Sequence, residues 1–463
     1  MIDSPEDLPL LHARRAWLVT LALTGVAAWL RLSGMDYGPA ADELNMTQTG
    51  SLSTLLSDPR GGVNPPLIRV AFSALFSPAE AVAWGRRWSL ACGTLAVPLA
   101  YLAGRAASRG AGLGVWPGLL LAGLVTFHQE SIQQSAMLGT YATWLAATLW
   151  HTRCACGLAS APPARGPWLQ LAVSALLMVQ THYFSAPILL VEGLTLAALA
   201  RSSGGATAGV RVLALYTPAA LSLLPLAPLI LGGTAPHRAP TEGAVMVGLN
   251  QTLGVGQGPL FAALGAAAVI GGWWAWPRLT PALKVVMGGA AGLIVGVVVF
   301  GSTHEMTPWV SVFGLPYAGA LAACLPALSP PSMPRGLAWT AAALWPLQGL
   351  ARTQEPESVT LYEHARVAWE AGVLLEAEEV VIYPEHLMPV LIFNATGRLF
   401  EDAPTQSGCE GFHRCFRWED TRLTGGAGRP DEPRPALVVW FDSPETAPDC
   451  PQVGEAPLRF DCR

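Results

Sequence analysis

Through its first 350 residues the chain is a succession of long apolar runs separated by short polar breaks. A helix that crosses the hydrocarbon core of a bilayer needs roughly 20 predominantly apolar residues. Eleven runs approach that length: 15–31, 88–104, 112–127, 135–151, 167–182, 184–200, 210–232, 259–276, 284–300, 309–328 and 336–350. Beyond residue 353 the pattern changes to the polar density of a water-soluble domain. There the sequence predicts a helix over 361–376, then short strands at Glu379–Tyr383, Pro389–Phe393 and Ala436–Phe441, all rich in β-branched and aromatic residues. The expected architecture is an all-α polytopic membrane bundle over 1–350 followed by a small α/β domain over 351–463.

Composition agrees with a membrane chain: 52% of the residues are hydrophobic and 13% charged, with mean hydropathy +0.39. A soluble domain carries about 25% charged residues. The net charge of -5 says little, because the charges are unevenly placed. Arg14 and Arg15, Arg105 and Arg109, Arg153 and Arg165, Arg201 and Arg211, Arg278 and Lys284, and Arg335 all fall on alternate connections. With eleven spans and a cytoplasmic N-terminus, the positive-inside rule puts every one of these groups in the cytoplasm and the C-terminal domain outside. The expected location is a bacterial inner membrane. The first apolar run has no convincing small-residue cleavage site after it, so it reads as an uncleaved helix. With the arginines scattered singly or in pairs, no basic patch for nucleic acid is present.

The opposite face carries the longer connections, 32–87, 233–258 and 301–308, and a short turn at 128–134. Asp42 and Glu43 are adjacent carboxylates just past the first span, with almost no base beside them. Charge so close to a membrane invites a functional reading, general-base chemistry on an acceptor hydroxyl, beside the plainer one of a solvated loop with a helix cap. Arg69, Arg86 and Arg87 stand on the side where the arginine trend gives them no reason to be. They suit an anionic phosphate at the outer leaflet, or else snorkel to headgroups. Glu130 lies in the 128–134 turn, His182 and Tyr183 in the turn between spans five and six, and His304 with Glu305 before span ten. Asp42, His128, Glu130, His182, His304 and Glu305 are ligand types that leave a divalent metal open, yet none has metal-motif spacing, and no metal site is assigned.

Taken in order, Asp42-Glu43, Asn64-Pro65-Pro66-Leu67, the run from Gly85 to Arg105, Gln129-Glu130 and Thr181-His182-Tyr183-Phe184 resemble the membrane glycosyltransferases of the GT-C superfamily. The closest likeness is to the group of protein O-mannosyltransferases and lipid A aminoarabinose transferases. It extends over about residues 15–200 and is loose through 350. The resemblance implies a helix bundle whose donor, a polyprenyl-phosphate sugar, and acceptor, a glycan, lipid or protein, meet at the outer face with inversion at the anomeric carbon. It implies that Asp42 is the catalytic base with Glu43 as neighbour, that Glu130 is the family's second acidic residue, and that no separate cofactor is needed. Two positions depart from the family pattern: Asn64 stands where a His is usual, and Ile132 where an Arg is common.

Four of the eight cysteines, Cys409, Cys415, Cys450 and Cys462, fall in the C-terminal region. An oxidising compartment favours disulfides there, with 409–415 and 450–462 the preferred pairing among three and zinc the competing use. Cys92, Cys154, Cys156 and Cys324 lie in or beside spans and read as small buried apolar groups. Besides an enzyme, the sequence admits a transporter, which would place its polar site at mid-membrane, and a non-catalytic membrane subunit.

Overall fold

The structure is a computed structural model that describes residues 7–32, 75–76, 78–160, 165–224, 243–302, 306, 310–329 and 333–352, and six strands between 379 and 461. The described residues fall in two compact units. One is helical, with 13–32 and 86–352 as its main described parts; the other contains 75–85 and the strands.

The helical unit comprises α1 (Asp7–Leu32), α2 (Pro78–Ala107, whose first residues belong to the other unit), α3 (Trp116–Phe127), α4 (Gln129–Ala136), α5 (Tyr141–Ser160), α6 (Arg165–Thr181) and α7 (Ser185–Leu223). It continues through α8 (Ala244–Leu253), α9 (Pro259–Trp274), α10 (Pro281–Gly301), α11 (Ser311–Gly314), α12 (Ala320–Ala323), α13 (Leu325–Leu328) and α14 (Arg335–Arg352). Segments Ala13–Leu32, Glu80–Ala107, Ser185–Leu223 and Pro281–Gly301 are long and apolar enough to cross a membrane. Trp116–Phe127, Pro167–Thr181, Pro259–Trp274 and Ser311–Ala323 are apolar but shorter. Large apolar side chains stand bare on the outside of the unit, among them Trp29, Leu190, Leu260 and Trp274, the last 83% exposed. Water would oppose so extensive an apolar surface, whereas lipid tails accept it. The chain is a polytopic α-helical membrane protein.

In lipid no hydrophobic force draws one helix to another, so close backbone approach has to do the packing. Gly288, Gly292 and Gly296 make a stripe along α10 that lies on α7: a Cβ at Gly288 would sit 2.5 Å from Thr195 Oγ1, and one at Gly292 2.6 Å from the Cα of Ile188.

The sequence pattern and the helices differ in three places. The 128–134 connection, expected as a turn, is the helix α4, and the next helix begins at Tyr141 rather than 135. The runs 184–200 and 210–232 are two helices, as the pattern expects: within α7 the chain folds back at Gly205, φ +76°, so that Tyr216 lies against Gly193 and Gly209 against Ala197. In the run 309–328, α11, a π-turn over Leu315–Gly319 and α12 continue as one helix, Ser311–Ala323, which stops at Cys324 before α13. Finally, the connection 233–258 contains α8.

In the second unit, β1 (Glu379–Tyr383), β2 (Phe416–Glu419), β3 (Arg422–Gly425), β4 (Ala436–Trp440), β5 (Gln452–Glu455) and β6 (Leu458–Asp461) form one sheet ordered β2-β3-β1-β4-β6-β5. β1 and β4 are parallel, Glu379 opposite Ala436, and the other pairs are antiparallel. A parallel pair needs a long crossover connection, and a helix commonly makes it. The expected helix 361–376, the strand 389–393 and the four C-terminal cysteines lie outside the described residues.

Candidate functional site

At one end of the helical unit, polar groups from α1, α3, α4, the turn after α8, α11 and α14 converge. His128 supplies the key, because it follows α3 and caps α4. Its Nδ1 accepts from the backbone N–H of Ser131 at 3.0 Å, so Nε2 carries the proton and donates to the carbonyl of Val255 at 3.1 Å. With both nitrogens committed, the ring is a neutral hinge between two segments. Burial pushes its pKa down to about 3, the bond to Val255 opposes that, and the charges of Arg31 and Arg352 add to the lowering.

Val255 holds that carbonyl in place at a cost. Its φ of +49° lies in the left-handed region, strained for a β-branched residue. Gly256 follows with φ +66°, and a Cβ there would meet Ser311 at 3.1 Å and His128 Nε2 at 3.4 Å. Only glycine fits the two constraints together. The carbonyl of Gly256 accepts from the guanidinium of Arg352.

Arg31, in the last turn of α1, is fully buried. It donates to the carbonyls of Ala27 and Val125 and to Ser131 Oγ, each at 3.1 Å, which ties the end of α1 to α3 and α4. The guanidinium reaches them because Gly93 leaves room: a Cβ there would lie 3.0 Å from Arg31 Nε and 2.0 Å from Ser135 Oγ.

Glu130 occupies the first turn of α4. Its Oε2 is shut off from water without a hydrogen-bond partner, and burial raises its pKa from 4.5 to about 7. Arg31 Nε, Gln257 Oε1 and Ser311 Oγ are buried without partners as well. Burying an unpaired polar group costs free energy, and a concentration of such groups is the mark of a site that pairs them with something else. A carboxyl with a pKa near 7 can give or take a proton near neutral pH.

Beside this network, His182 Nδ1 accepts from the N–H of Phe184 at 3.1 Å, and its ring packs on Phe313 with centroids 4.7 Å apart and on Tyr141 at 5.6 Å. Burial lowers its pKa to about 3. Tyr183 is buried next to it.

No family model matches the chain, and no curated protein matches it. Among solved structures it is similar to ArnT from Cupriavidus metallidurans in the apo state, at 13% identity over 97% of this chain and 98% of that one, with a TM-score of 0.49. The same protein bound to undecaprenyl phosphate gives 14% identity, coverage of 96% and 97%, and a TM-score of 0.47. Similarity at this level does not establish a family.

Of the residues singled out from sequence, Glu130, His182 and Tyr183 lie at this end of the unit. Arg86 is buried and Arg87 exposed on α2, and both have partners. Asp42, Glu43, Arg69, His304 and Glu305, with the Asn64–Leu67 motif, lie outside the described residues. Among the described residues no group of three or more His, Cys, Asp or Glu is placed to hold a metal ion. Cys92, Cys154, Cys156 and Cys324 are free and buried.

Sequence reasoning passed over two arginines and an ion pair. Arg31 and Arg352 sit in the last turns of their helices, on the side where the arginine trend gives them no place, the same signal that drew notice to Arg86 and Arg87. Within the bundle, His151 Nε2 of α5 meets Glu192 Oε1 of α7 at 2.8 Å with both side chains fully buried, and His151 Nδ1 lies 3.0 Å from Ser174 Oγ. Glu192 is the one acidic residue in an otherwise apolar run, which is the sequence signal for it.

Proposed function

We propose that this chain is a glycosyltransferase of GT-C type that moves a sugar from a polyprenyl-phosphate donor to an acceptor hydroxyl at the outer face of a bacterial inner membrane. The observation that carries the reading is Glu130: a carboxyl held near neutral pKa with one oxygen buried and unpartnered, at the end of the bundle where the buried Arg31 and the half-buried Arg352 also lie. The sequence motifs around Asp42, Pro65-Pro66 and His182 support it.

In this mechanism the Asp42 carboxylate takes the proton of the acceptor hydroxyl as its oxygen attacks the sugar C1. The bond from C1 to the phosphate oxygen breaks with inversion, and the lipid phosphate leaves as an anion. Arg69, Arg86 or Arg87 balances that anion, and Glu43 and Glu130 flank the reacting centre. His182 and Tyr183 line the donor side. No cofactor takes part. The membrane bundle over 1–350 performs the transfer, eleven spans set the orientation, and the domain over 351–463 lies outside.

A second reading, a transporter, is favoured by the His151–Glu192 pair, since ionisable groups inside a span mark proton or ion paths. One experiment separates the two. Envelope glycolipids and glycans from a deletion strain are compared by mass spectrometry with those of strains restored by the parent chain, by Asp42→Asn and by Glu192→Gln. The transferase reading expects one sugar to vanish on deletion, to return with the parent chain and with Glu192→Gln, and to stay absent with Asp42→Asn. Full restoration by Asp42→Asn would overturn it.

A further inference from the structure

At the other end of the helical unit the loop between α2 and α3 meets the end of α5 and the start of α6 around a cavity of about 870 Å³. Three guanidinium groups line it, Arg105, Arg109 and Arg153, and no lining residue is acidic. All three are solvent-accessible, and Arg105 is steadied over the ring of Tyr101 at 5.8 Å. Arginines at this end are what topology alone requires. Topology does not require three of them to converge on one cavity.

The loop backbone supplies an independent sign. From Arg109 to Gly114 the sign of φ alternates: Gly110, Gly112 and Gly114 have φ of +79°, +70° and +63°, while the residues between them are not in the positive region. Alternation of this kind turns successive N–H groups toward one concave side, the geometry of backbone anion nests. Ser108, Arg109 and Ala111 spend their N–H groups on carbonyls of the preceding turn. Among the described residues, the N–H groups of Gly110, Gly112, Leu113 and Gly114 have no such backbone acceptor. All four residues line the cavity. Leu102, Leu113 and Leu158 complete the wall with apolar surface. Nearby, Trp273 and Trp276 cluster at the end of α9 and Lys284 lies over the Trp276 ring at 5.8 Å, aromatic and cationic neighbours suited to a membrane–water interface.

We propose that this cavity is a binding site for a phosphate-bearing anion, with the headgroup of an anionic glycerophospholipid as its occupant: the three guanidinium groups take the phosphate oxygens, the glycine loop presents its free N–H groups, and the leucines border the glycerol and first acyl carbons. The site is separate from the Glu130 site and independent of the sugar-transfer reading, since the two lie at opposite ends of α3.

The test uses the full chain in detergent, titrated with phosphatidylglycerol or phosphatidylcholine and observed by native mass spectrometry, with inorganic pyrophosphate as the soluble phosphate probe. Two variants are compared with the parent chain. Arg105→Lys/Arg109→Lys/Arg153→Lys keeps the charge, and so the topology and folding, but loses the planar fork. Arg201→Gln/Arg211→Gln removes charge from connections outside the cavity. The expected result is selective retention of phosphatidylglycerol, weakened about tenfold or more in the triple lysine variant, as loss of bidentate geometry requires, and unchanged in the other. Tight binding of pyrophosphate with the same dependence on the three arginines, and none of phosphatidylglycerol, would assign the phosphate site to a soluble ligand. Retention of neither probe above phosphatidylcholine, or equal losses in both variants, would overturn the proposal.

Discussion

Glu130 carries its carboxyl in the first turn of a helix, where the backbone dipole favours the anion by about 0.3–1 kcal/mol, yet burial outweighs that and holds the pKa near 7. The sign of the pH effect follows. Because the folded pKa lies above the ordinary 4.5, the protonated group is fully accommodated below pH 4.5, and stability falls as pH rises through about 7. At roughly 1.4 kcal/mol per pKa step, reduced for the group's partial exposure, the loss amounts to about 2 kcal/mol or less. Thermal unfolding of the purified protein and of Glu130→Gln between pH 5 and pH 8 reads it directly: the advantage of the glutamine variant should widen as pH rises. Parallel curves would mean that Glu130 is solvated. The residue could be noticed in the sequence because it stands in a polar cluster, His128 to Gln134, between two apolar runs. The partners that shape the site could not, since the positive φ of Val255 and the room that Gly93 leaves for Arg31 exist only once separate helices have met.

Between elements, the tightest packing runs along the glycine stripe of α10. A methyl group at Gly292 would lie 2.6 Å from Ile188 Cα and 2.7 Å from the Pro187 carbonyl, both backbone atoms that cannot rotate away. Gly292→Ala should therefore cost stability by about 1–3 kcal/mol, the range for overpacking, and Gly292→Leu more. Gly25→Ala, which meets nothing within 4 Å, is the control and should change little. The midpoint of thermal aggregation in detergent measures the difference; equal midpoints would show that α7 and α10 can slide apart freely. Helix positions were legible in the chain because apolar length is a direct requirement of the bilayer, and Glu379–Tyr383 was legible as a strand from its β-branched run. Other features were not. The π-turn at Leu315–Gly319 inside one helix, and the stop of that helix at Cys324 before its apolar run ends, leave no mark in the hydrophobic pattern. The His151–Glu192 pair depends on α5 and α7 facing each other, which single-span periodicity does not encode.

For the molecule as a whole, the two ends differ in chemistry, and that difference makes the orientation testable. Along α2, residues 86 to 107 span about 32 Å at 1.5 Å per residue, one hydrocarbon thickness, so Arg86 and Arg109 belong to opposite surfaces of the membrane. The proposed orientation puts the arginines of the 105–114 loop in the cytoplasm, while a site that meets a lipid-linked sugar outside needs Asp42 on the other surface. Single cysteines introduced as Asp42→Cys and Arg109→Cys report each surface separately, read against the background of the parent chain. A membrane-impermeant maleimide applied to intact spheroplasts should label position 42 and leave position 109 untouched until the membrane is opened. Cys92, Cys154, Cys156 and Cys324 are buried and should add little signal. Labelling of position 42 only after permeabilisation would place the carboxylate on the cytoplasmic surface, away from any donor presented outside. The transfer reading would then fail whatever Glu130 does. The arginine cavity would face outward in that case, so its lipid selectivity would have to be explained by the outer leaflet instead.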